Sequence, residues 1–87
     1  MLTSLKINEE EGSKQQIGNC LNNIGAIYHA QENHALALTY YQKLLEISKE
    51  IAYKEGEARA LNNIGEIYRT QSNLALALTH FQKSLKI

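Results

Sequence analysis

The sequence predicts an all-α fold of antiparallel helix hairpins stacked as a solenoid. No proline in its 87 residues interrupts a helix. Apolar residues recur at three- and four-residue spacing, the period of a helix with one buried face. A long stretch also repeats itself after 40 residues, in the range of helical repeat arrays.

The repeat places Leu21-Asn22-Asn23-Ile24-Gly25 over Leu61-Asn62-Asn63-Ile64-Gly65. Tyr28 then falls on Tyr68, Gln31 on Gln71, Asn33 on Asn73, and Ala35 to Thr39 on Ala75 to Thr79. Of the 27 pairs from Leu21/Leu61 to Ile47/Ile87, 18 are identical, which chance does not give in a mixed composition. Leu5 and Ile7 align with Leu45 and Ile47, so residues 1–12 read as the second half of a preceding repeat. The chain is thus expected to be one domain: a trailing half-repeat (1–12), one repeat (13–53) and another (54–87).

Five helices are expected. The first, Leu2–Glu11, ends at Gly12-Ser13, where glycine readily takes the left-handed conformation that stops a helix. The second, Lys14–Ala30, carries the stripe Leu21, Ile24, Ile27 and Tyr28. Gln31-Glu32-Asn33 makes the turn, with Asn33 able to cap the next helix or turn left-handed itself. The third, His34–Tyr53, carries Leu38, Tyr41, Leu45 and Ile47. Glu57–Thr70, the turn Gln71-Ser72-Asn73 and Leu74–Ile87 repeat the hairpin.

The second junction between repeats breaks the pattern: Ala52-Tyr53 stands where Gly12-Ser13 stood. Alanine continues a helix better than glycine by about 1 kcal/mol, so the stop signal is lost. Either the turn slides to Glu55-Gly56, with Lys54 favourable at the helix C-terminus, or the helix from His34 runs on towards Thr70. In the second case another chain supplies the missing neighbour, giving a domain-swapped homo-oligomer.

The spacing Leu21-x2-Ile24-Gly25-x2-Tyr28 followed by Ala37-x3-Tyr41, and its copy Leu61-x2-Ile64-Gly65-x2-Tyr68 followed by Ala77-x3-Phe81, resembles the tetratricopeptide repeat. Small residues let helices approach, and aromatics fill the space beside them. The period is longer than the family's usual ~34 residues, and Lys49 replaces its closing proline. Long repeats with an Asn-Asn pair look more like those of kinesin light chains, of Leu-Gly-Asn-rich G-protein regulators and of bacterial regulatory proteins. The resemblance implies a right-handed α-solenoid that binds protein segments and does no chemistry.

Composition narrows the functions further. Nine Lys and Arg balance nine Glu, with no Asp. Such a chain has no net field to attract nucleic acid or an anionic membrane. No stretch approaches the ~18 consecutive apolar residues of a membrane span. A lone cysteine, Cys20, fits a reducing compartment, and the cytoplasm is the expected location. Cys20 is expected to be a small buried thiol. His29, His34 and His80 do not recur at the repeat period, and no phosphate loop, metal set or catalytic pairing is legible, so neither cofactor nor metal is expected.

The candidate binding residues lie on the first helix of each hairpin, on the face that lines the concave side of such solenoids. They are Asn19, Asn22, Asn23, Ala26 and His29 in one unit, and Arg59, Asn62, Asn63, Glu66 and Arg69 in the next. Asparagine amides both donate and accept, so they can hold an extended peptide whatever its sequence; Asn23 and Asn63 match the family position that does so. The lysines of the family's chaperone-tail clamp are missing, so that partner is not implied. Arg59 and Arg69 offer charge to an acidic peptide.

A second set points to self-association, or to a piece of a longer array. Leu36 and Leu76 stand where related repeats usually carry charge. Leu85 and Ile87 are apolar with no polar helix after them, and apolar surface of that kind marks an interface. With Ala52 and Tyr53 at the altered junction, these are the candidate self-association residues.

Overall fold

The computed structural model describes residues 2–87, with side chains from Gly12 onward. Among them are four helices: α1 (Leu2–Ala30), α2 (His34–Glu50), α3 (Lys54–Thr70) and α4 (Leu74–Leu85). The expected five become four because α1 runs through Gly12-Ser13 without a turn. Leu2–Glu11 and Lys14–Ala30 are therefore one helix, and Gly12 lies inside it with nothing near the position of its missing Cβ.

The altered junction also differs from both expectations. Ile51, Ala52 and Tyr53 form a turn, neither displaced to Glu55-Gly56 nor replaced by a continuous helix. Ala52 takes the left-handed conformation, φ 53°. Gly56 lies within α3, buried against Ser48 and Tyr53, so nothing larger fits there.

All three turns share one construction. The left-handed residue is Glu32, Ala52 or Ser72, twenty residues apart, and none is glycine. Its N–H donates three residues back, to His29, Lys49 or Arg69. The next N–H, of Asn33, Tyr53 or Asn73, donates five residues back, to Tyr28, Ser48 or Tyr68, at 2.9, 2.7 and 2.8 Å. These are Schellman closures. The closing residue is also the N-cap of the following helix: Asn33 and Asn73 accept from Leu36 N and Leu76 N at 3.3 and 3.4 Å. Asparagine thus caps, and its predecessor turns left-handed. Tyr53 makes no side-chain cap bond.

Each helix packs against the next in sequence, and α1 also reaches α3. Within the hairpins, glycine meets an aromatic ring. A Cβ on Gly25 would stand 2.7 Å from Tyr41, and one on Gly65 2.7 Å from Phe81. The other hairpin contact trades sizes: Gly18 faces Leu44, whereas their 40-residue counterparts are Ala58 and Ser84, with Ser84 Oγ donating to Ala58 O at 3.0 Å. An aromatic contact recurs too, Tyr28 on Tyr40 at 5.6 Å and Tyr68 on His80 at 5.2 Å. Lys14 and Glu50 form an ion pair between α1 and α2.

The core sits between the hairpins, not in the middle of either one. Ala37 and Tyr41 of α2 meet Ile64 and Ile67 of α3, with Tyr28, Leu38 and Tyr68 packed around them. The stripe Leu21, Ile24 and Ile27 does not do the same on α1. Ile24 is 36% and Ile27 56% exposed, whereas Ile64 and Ile67 are 2% and 0%. These isoleucines are the same in both helices; the difference is that a hairpin packs on this face of α3, whereas no described residue covers it on α1.

Candidate functional site

The first-helix residues at steps of three and four share one side of α1 and of α3. Asn19, Asn23 and Ala26 are exposed there, as are Arg59, Asn62 and Arg69; Asn22, His29, Asn63 and Glu66 are half-buried. The two helices are tied by one side-chain bond, Asn63 Nδ2 donating to Asn22 Oδ1 at 2.7 Å. The asparagines are therefore not an unbroken ladder open to a ligand, since two of them hold α1 to α3. Each retains further hydrogen-bonding capacity, because a side-chain amide carries two donors and two acceptor lone pairs.

The charges on this side are partly spent as well. Arg69 donates to Glu66 through Nη2 at 2.6 Å and Nε at 3.2 Å, and that bond, with the attraction of the carboxylate, raises the Arg69 pKa further above its usual value. Arg59 makes no ion pair among the described residues, and it is the cation best placed to meet an acidic ligand. His29 lies against His34, ring centroids 6.1 Å apart. Among the described residues no three of His, Cys, Asp and Glu come together as a metal set.

A tetratricopeptide repeat family model matches residues 16–87. The chain belongs to the tetratricopeptide repeat family. Repeats of this family generally mediate protein–protein interaction and typically do no catalysis. No curated protein and no solved structure matches the chain. Among the described residues no helix is long and apolar enough to cross a membrane.

The self-association candidates lie on α2, on α4 and just beyond its end, and in one turn. Leu36, Leu76, Leu85 and Ile87 are exposed, Leu85 at 87%; Ala52 is exposed in its turn and Tyr53 half-buried. Leu74 and Leu78 add to the open apolar surface of α4. Cys20, expected to be buried, is exposed. It lies with Ile17, Ile24 and Ile27 on the side of α1 whose counterpart in α3 is sealed. Ile24 and Ile27 belong to the apolar stripe of the sequence and Cys20 to its expected buried residues, whereas Ile17 is not among them, so the open face was not foreseen.

Proposed function

We propose that this tetratricopeptide array is a non-catalytic interaction module that takes an extended, acidic protein segment along the first-helix side, across α1 and α3. The observation that carries the reading is the Asn63–Asn22 bond, which fixes the spacing of the two helices. Between such fixed helices, exposed Asn19, Asn23, Arg59 and Asn62 present donors and acceptors at a repeating interval. Preorganisation of this kind lowers the entropy cost of binding. Arg59 supplies charge selection, since Glu66 already occupies Arg69. Zero formal net charge disfavours nucleic acid as the partner, and a cytoplasmic location suits the single cysteine.

The test is retention of the labelled chain on arrays of extended acidic peptides and of lysine-rich controls. Acidic peptides should retain it, and Arg59→Glu and Asn19→Ala should lower retention with helicity by circular dichroism unchanged. Equal retention by both arrays, or indifference to both substitutions, refutes the reading.

A further inference from the structure

The junction between the two hairpins is a template for what covers the open ends. Inside the chain, α2 and the joint after it seal the face of α3 that carries Ala60, Ile64 and Ile67, all at most 2% exposed. The corresponding face of α1 carries Cys20, Ile24 and Ile27, all exposed, with Ile17 beside them. At the other end, α4 repeats α2 over Ala75 to Thr79. Leu38 of α2 packs on the Ile64–Ile67 cluster, whereas its counterpart Leu78 of α4 is 57% exposed. One molecule thus presents both halves of the junction it already contains.

The polar contact across that junction is also available. Asn22 of the leading hairpin bonds Asn63 of the following one. Moved on by one repeat, the same relation joins Asn62 to Asn23 of a following unit, and both are exposed here.

We propose that the chain associates head to tail with a second copy of itself, α4 of one copy covering the Ile17, Ile24 and Ile27 face of α1 in the next. Leu78 takes the part of Leu38, and Asn62 of one copy bonds Asn23 of the other. The contact joins two different surfaces, so a dimer still carries one free α1 face and one free α4 face, and further copies add until a ring closes or a filament grows. It needs no exchange of helices between chains, in contrast to domain swapping at Ala52-Tyr53. It shares Asn23 and Asn62 with the peptide reading, whose Asn19 and Arg59 lie outside these apolar faces, so Arg59→Glu tests that reading without touching this contact.

Sedimentation velocity of the full chain over a concentration series tests it, together with Ile27→Glu and Leu78→Glu at exposed positions. The unaltered chain should show a mass that rises with concentration past a dimer. Each variant alone should stay monomeric, and an equal mixture of the two should form dimers, because each still owns one intact face. A constant monomer mass for the unaltered chain, growth that stops at a dimer, self-association of either variant, or a mixture that stays monomeric overturns the proposal. Cys20 gives a second readout without any substitution: its alkylation should slow as chain concentration rises, since its counterpart Ala60 is fully buried. A rate that is fast throughout, or slow even at high dilution because the chain's own N-terminal segment covers the face, overturns it equally.

Discussion

Gly25 and Tyr41 fit so closely that a Cβ on the glycine would stand 2.7 Å from the ring edge, and Gly65 and Phe81 repeat the fit at the same distance. Glycine is there for clearance, since both lie inside helices with ordinary helical backbone. Gly25→Ala and Gly65→Ala set a helix-propensity gain of about 1 kcal/mol against overpacking of about 1–3 kcal/mol. Each should therefore lower stability, by up to roughly 2 kcal/mol. Urea denaturation measures it, and Tyr41→Leu in the Gly25→Ala background should recover part of the loss by making room.

Gly12 and Ala52 each hold the residue type that would suit the other. Gly12 is helical with open space around it, so Gly12→Ala should add about 0.5–1 kcal/mol and extend the helicity of α1. Ala52 is left-handed at φ 53°, so Ala52→Gly should also stabilise, by about 0.5–1 kcal/mol after the entropy that glycine adds to the unfolded chain. Opposite substitutions with the same sign of effect are the expectation for thermal unfolding. A loss of stability in Ala52→Gly would mean that the turn is not left-handed in solution.

Burial of Tyr41 raises its phenol pKa above the ordinary 10.0. Above pH 10 the unfolded chain releases a proton that the folded chain keeps, so the contribution is complete below that pH and is lost as pH rises through the folded value. Tyr41→Phe should remove this part of the alkaline destabilisation while changing stability at pH 7 by less than about 1 kcal/mol. Phe81 already fills the counterpart position in the second hairpin. Denaturant midpoints measured for both chains from pH 8 to 11 check it; parallel curves would count against a buried phenol.

What the sequence disclosed was whatever the two repeats share. The 40-residue shift located the hairpins, the glycine–aromatic contacts and the asparagine caps, because those depend on residues a few positions apart or on partners within one hairpin. Other features were not legible, the continuity of α1 through Gly12-Ser13 among them. The turn at Ala52 was hidden because its geometry is set by backbone bonds to Lys49 and Ser48 and by the packing of Tyr53 and Ser48 on Gly56. Against these, a left-handed preference of about 1 kcal/mol is too small to decide. The exposure of Ile24 and Cys20 was hidden because burial depends on the neighbouring hairpin, and equivalent positions in α1 and α3 have different neighbours. On the candidate binding side, the individual residues were found, but the Asn63–Asn22 bond was not, since it links positions 41 apart and breaks the register of the repeat by one.

The three joints bear on how such a chain tolerates change. Their shape comes from backbone donors and carbonyls, so the side chain at the turning position drifts without harm: Glu32 in one copy has become Ser72 in the other. Residue number is far less forgiving. Losing one residue between joints turns the rest of that helix by about 100°, which would carry Gly25 or Gly65 away from its ring. Substitution at the left-handed position of a joint is then mild, while a frame-preserving deletion a few residues away dismantles the hairpin, and change in length fits the fold in helix-and-joint units of twenty residues.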